Sequence, residues 1–91
     1  MGLVFRRRAN GKHWTYTFLV QQRDALSIVT DRISHDDFVE HCVRALPKPK
    51  GRDHRRFVVK RALQKLEAVG RLPLRVEGDC FVLPDLSVYR R

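Results

Sequence analysis

Asp53-His54-Arg55-Arg56-Phe57-Val58-Val59-Lys60-Arg61-Ala62-Leu63-Gln64-Lys65-Leu66-Glu67-Ala68-Val69-Gly70 is the stretch whose reading decides the fold. Asp53 offers a side-chain oxygen to the free amides of a helix start, and Gly70 suits the left-handed residue that closes one. The pair predicts a helix over about His54–Val69. On a helical wheel centred on Ala62, the apolar residues Val58, Val59, Leu63, Leu66 and Val69 fall within about 100° of it. Arg56, Lys60, Gln64 and Glu67 oppose them, with Arg61 and Lys65 at the flanks. One face is therefore expected in a core and the other in solvent as a row of hydrogen-bond donors. Phe57 falls among the polar residues, and the reading has it pack on the segment Asp24–Ile33 or on the linker before the helix.

Charge singles out the same region. Lys48, Lys50, Arg52, Arg55, Arg56, Lys60, Arg61, Lys65 and Arg71 face only Asp53 and Glu67 between positions 48 and 71, so seven of the chain's net +9 lie in about a quarter of its 91 residues. Residues 1–22 carry Arg6, Arg7, Arg8 and Lys12 and no acid, residues 23–46 are net acidic, and residues 73–91 balance. Such concentration is the footprint of a polyanion site, because each phosphate neutralised releases condensed counterions. The plainer alternative is a solvated charged helix face.

Working outward, Pro47-Lys48-Pro49-Lys50-Gly51-Arg52 reads as a turn or linker. Before it, Ser34 caps a helix from His35 to about Leu46, with Asp36, Asp37 and Glu40 near its positive end and Pro47 stopping it. Phe38, Cys42 and Leu46 form its core stripe, Val39 and Val43 beside them. Asp24–Ile33 approximates helical spacing and is expected as a short helix. In residues 1–22, Asn10-Gly11 between Leu3–Ala9 and Lys12–Val20 predicts a β-hairpin with Trp14, Tyr16, Phe5 and Phe18 on one face. That face is expected in the core, with a stacking platform for unpaired bases as the alternative. After Gly70, Leu72–Val76 and Cys80–Leu83 flank Gly78 as a second hairpin. Its strand parity puts Leu74, Val76, Phe81 and Leu83 on one face and Arg75, Cys80 and Val82 on the other. Asp85–Arg91 reads as a tail.

The length suits one small domain spanning residues 1–91, and 43% hydrophobic residues with eight aromatics exclude a disordered basic tail. Cys42 and Cys80, with no secretory signal pattern, suit reduced thiols and an intracellular, cytoplasmic or nucleoid-associated setting. No apolar run reaches membrane-spanning length, and Arg6 stands where a myristoylation signal needs Ser or Thr. Phosphate-loop, nucleophile-elbow and metalloprotease motifs are absent, so no enzyme, small-molecule substrate or cofactor is expected. Neither the cysteines nor His13, His35, His41 and His54 show zinc-ligand spacing.

Helix, helix, basic turn, long cationic helix and hairpin is an element order that resembles the winged helix-turn-helix family over residues 24–84. The resemblance implies an α+β fold of three helices plus a C-terminal β-hairpin wing, with the 1–22 hairpin as an addition. It implies that His54–Val69 is the recognition helix, Leu72–Leu83 the wing, and Phe38, Cys42, Leu46, Val58, Ala62, Leu66 and Val69 the shared core. Three features depart from the family pattern: the long Pro-rich connection, the acidic tip Glu77 and Asp79, and the added hairpin. In that mode Arg56 and Lys60 are candidates for guanine, Gln64 for adenine, Phe57 for a thymine methyl, and Lys48, Lys50, Arg52, Arg55 and Arg61 for phosphates, with Lys65 on the same surface. The expected function is duplex DNA binding by a small transcriptional or replication regulator. The alternatives are a module docking on a protein, a ribonucleoprotein or a second copy as a homodimer, and an RNA or single-strand binder.

Overall fold

A computed structural model describes residues 11–85, with side chains from Thr15 onward. Its elements are α1 (Gly11–Ser27), β1 (Arg32–Ser34), α2 (His35–Ala45), α3 (Arg55–Ala68), β2 (Arg75–Glu77) and β3 (Cys80–Val82). The strands form one antiparallel sheet in the order β1-β3-β2. Three helices and this small sheet make a mixed α+β fold, compatible with a winged-helix topology.

The first helix corrects the sequence reading. The arm Leu3–Ala9 and Asn10 lie outside the described residues, but Lys12–Val20, expected as the second hairpin strand, is helical. From Thr15 on, a buried or half-buried stripe runs through Thr15, Phe18, Leu19, Gln22, Arg23, Leu26 and Ser27, a helical repeat of three and four; Val20 and Asp24 are also half-buried, while Tyr16, Thr17, Gln21 and Ala25 face solvent. Packing of this stripe outweighs the weak helix propensity of the Thr and Val residues. Its polar members are satisfied within the fold: Ser27 Oγ donates to Arg23 O at 2.7 Å, Arg23 NH1 donates to Pro73 O at 3.0 Å, and His41 Nε2 donates to Gln22 Oε1 at 2.9 Å.

The expected Asp24–Ile33 helix is likewise corrected, because α1 ends at Ser27. The Val29 and Thr30 amides both donate to Leu26 O at 3.0 Å, and the β-branched residues beyond leave the helix. Ile33 then sits in β1 opposite Phe81, a partner 48 positions away that local periodicity does not reveal. Arg32, Val82 and Arg75 form one rung of the sheet, and Ser34, Cys80 and Glu77 another. The pairing of Glu77 with Cys80 selects Gly78-Asp79 as a two-residue loop, with Gly78 at φ 64° and Asp79 at negative φ, as a type II′ turn requires. The parity expected for this hairpin holds.

Both remaining helices match their expected bounds within a residue or two. In α2 the Asp37 amide donates to Ser34 Oγ at 3.1 Å, and the chain turns extended at Leu46 ahead of Pro47. In α3 the cap position is His54 rather than Asp53, although the Asp53 carboxylate still takes the Arg55 amide at 3.0 Å. At its other end Gly70 N donates to Glu67 O and Arg71 N to Leu66 O, with Gly70 at φ 71°: a Schellman motif.

Leu19 and Leu26 of α1, Phe38, Val39, Cys42 and Val43 of α2, Val59 and Leu63 of α3, and Leu74, Phe81 and Leu83 from the sheet region form the core. Phe38 meets Phe81 edge-on, with ring centroids 5.3 Å apart. Three expected core residues are corrected: Tyr16 is 43%, Val58 47% and Val69 66% exposed. The buried stripe of α3 runs through Arg55, Val59, Ala62, Leu63 and Leu66, so the helix is rolled from the orientation the wheel suggested.

Candidate nucleic-acid interface

That roll decides which α3 side chains point outward. At about 100° per residue, a buried stripe centred between Val59 and Leu66 places Phe57, Arg61, Gln64 and Ala68 opposite it, with Lys60 and Lys65 at the two flanks. All six are exposed. Phe57, expected to pack on the preceding elements, is instead 60% exposed, and the Arg61 guanidinium carbon lies 5.9 Å from its ring centroid. Spacing alone carried this signal, since Phe57 and Arg61 stand four apart on the polar side of the wheel.

The nine candidate residues divide by what holds them. Arg55 has most of its donors engaged inside the fold. Its Nε donates to both Asp53 oxygens at 3.0 and 3.2 Å, its NH2 to Asp53 Oδ2 at 2.9 Å, and its NH1 to Val43 O at 3.1 Å and Leu46 O at 3.2 Å. Of five guanidinium hydrogens one is left for another acceptor. The side chain fastens the carbonyl end of α2 to the start of α3, joining the Leu46 amide as a second donor to Val43 O. The Arg55 side-chain hydrogen bond to Asp53, the largest of several causes, lowers the Asp53 carboxyl to about 2. Arg56 is turned toward α2, where it pairs with Glu40, which also lies 3.9 Å from Arg44.

The other seven are open. Lys48, Lys50 and Arg52 are exposed on the nine-residue connection between α2 and α3, and Lys60, Gln64 and Lys65 on α3; none has an ion pair or hydrogen bond from its side chain among the described residues. Arg61 has only the Phe57 ring. Arg71, part of the same charge cluster, is exposed just past the Schellman turn. Once Asp53 is neutralised by Arg55, the one acid left on α3 is the exposed Glu67.

The sheet tip is less acidic than its sequence. Glu77 lies 3.1 Å from Arg32 NH2 and 3.6 Å from Arg75 NH2, so two exposed arginines bracket it. Among the described residues no cluster of three or more His, Cys, Asp or Glu is arranged to hold a metal, and no helix is long and apolar enough to cross a membrane. Comparison of the chain with protein-family models, with curated proteins and with solved structures found no match.

Proposed function

We propose that this chain is a winged helix-turn-helix module that binds duplex DNA, with α3 as the recognition helix and the β2–β3 hairpin as the wing. The observation that carries the reading is the set of unpaired cations Lys48, Lys50, Arg52, Lys60, Arg61 and Lys65 on α3 and on the connection leading into it. The order α1-β1-α2-α3-β2-β3, with β3 central in the sheet, supports it. So does the rigid seating of α3: Arg55 bonds to α2 and to Asp53, so the outward face is held in one orientation before any ligand arrives, which lowers the entropic cost of binding.

In this reading Lys60 and Gln64 approach base edges, Lys48, Lys50 and Arg52 sit on phosphates from the connection, and Lys65 follows the backbone further along α3. Arg55 is a positioning residue, and Arg56 reaches DNA only by leaving Glu40. The bracketed Glu77 removes much of the repulsion an acidic wing tip would feel near phosphate. Regulation of transcription or replication is the process such a module serves. A second reading, docking on another protein, is favoured by Ile28 and Val29 in the α1–β1 turn, which are 55% and 76% exposed. Gel shifts with one sequence as duplex, single strand and RNA separate the readings: the proposal expects the duplex to be bound most tightly, and equal or stronger binding of the other two forms would contradict it.

A further inference from the structure

An aromatic ring left in water at the middle of a cationic helix face calls for a ligand with both negative charge and an apolar group. Phe57 is in the first turn of α3 with 60% of its surface open. Arg61, one turn on, holds its guanidinium over the ring, and Lys60 and Gln64 stand beside the pair with no side-chain partner among the described residues. From this juxtaposition we infer that Phe57 and Arg61 form a two-residue reader: Phe57 contacts the 5-methyl group of a thymine in the major groove, and Arg61 donates to a nearby guanine. The inference rests on the duplex reading above and names the bases that reading leaves open.

Base edges in the major groove present hydrogen-bonding groups at every pair, but the thymine methyl is the apolar feature among them, and apolar side chains recognise it. Guanine O6 and N7 form the acceptor pair that an Arg fork matches. The contact with the Phe57 ring restricts the orientations of that fork, so less side-chain freedom is lost when it binds. Residues four apart rise about 6 Å along a helix, and successive base pairs about 3.4 Å, so the guanine lies within about two base pairs of the thymine. A protein surface matching this face would need an apolar pocket rimmed by carboxylates. Duplex DNA supplies the methyl and the negative rim together.

The test starts with the full chain selecting from a randomised duplex pool at low salt. In the enriched duplex each thymine is then replaced singly by deoxyuridine, which lacks only the 5-methyl group. At one or two positions the replacement should weaken wild-type binding about four-fold, the equivalent of about 0.8 kcal/mol for one methyl-sized group. F57A, with its melting temperature unchanged, should bind more weakly and not distinguish the two bases, F57L should keep part of the distinction, and R61A should lose the neighbouring guanine preference. Every deoxyuridine duplex bound as tightly as the parent, or an F57A protein that still discriminates, overturns the inference while leaving duplex binding intact. A pool retained without enrichment of any sequence overturns this inference alone, whereas a pool from which no duplex is retained at low salt overturns the duplex reading with it.

Discussion

Replacing Val59 by Ala, and separately Val58 by Ala, tests the roll of α3 on which the outward face depends. The two valines are neighbours in sequence, but Val59 is 3% and Val58 47% exposed. Each substitution removes two carbon groups worth about 0.8 kcal/mol apiece when fully buried. Val59→Ala should therefore cost about 1.6 kcal/mol in transfer alone, and about 2–3 kcal/mol once the unfilled cavity is added. Val58→Ala, already half in water, should cost less than about 0.8 kcal/mol. Leu63→Ala, three groups at 3% exposure, sets the upper mark at about 3 kcal/mol or more. At about 4–8 °C per kcal/mol for a chain of this size, Val59→Ala and Val58→Ala should differ by roughly 10 °C in melting temperature. Urea unfolding followed by far-ultraviolet circular dichroism gives the free energies directly, provided the slope m is unchanged. A larger loss for Val58→Ala than for Val59→Ala would mean that α3 faces the core as the wheel suggested, and Phe57 and Arg61 would lose their outward position.

Lys65→Ala should leave the melting temperature within a degree or two while weakening duplex binding and flattening its salt dependence by about 0.9, the contribution of one phosphate contact; an unchanged slope would remove Lys65 from the backbone contacts. The Asp53 carboxyl, held at about 2 by Arg55, lies below the about 3.9 of an unfolded aspartate. Its pairing therefore stabilises the fold above that unfolded value and is lost as the pH falls through about 2. Asp53→Asn should reduce the decline of stability between about pH 4 and pH 2, and an acid profile identical to wild type would show the pair to be inconsequential. Cys42 is fully buried, and burial pushes its thiol up to about 12, whereas Cys80 is half-exposed. A thiol reagent at about pH 8 should label Cys80 in the native protein and Cys42 only after unfolding; native labelling of Cys42 would contradict the packing of α2.

Local chemistry that acts over three or four residues was readable in advance. Ser34 starts α2 and Pro47 follows its end, Gly70 closes α3, and Gly78 turns the second hairpin. Their roles depend on backbone angles and nearby amides that the residue type dictates. What misled was pattern without tertiary context. Trp14, Tyr16, Phe18 and Val20 alternate as a strand would, yet the buried stripe of α1 includes Gln22, Arg23 and Ser27, polar residues that enter it because His41, Pro73 O and Arg23 O meet them. A hydrophobicity pattern cannot register such positions. Strand β1 is three residues long and exists through its pairing with residues 80–82, which no local window contains. For α3, the wheel was centred on Ala62 and counted Val58 and Val59 alike as apolar. The inward turn of Arg55 onto Val43 O and Leu46 O goes instead with a stripe centred between Val59 and Leu66. The candidate site was legible as a charge cluster, but not the division within it, since the partners that occupy Arg55 and Arg56 come from α2 as well as from the adjacent sequence.

The central claim is that open cations on α3 and its leading connection bind the phosphates of duplex DNA, and the salt dependence of binding measures that most directly. With Lys48, Lys50, Arg52 and Lys65 on phosphates at about −0.9 each, log K against log salt concentration should fall with a slope of about −4. No duplex binding at about 50 mM salt, or binding whose slope is close to zero, would contradict the account.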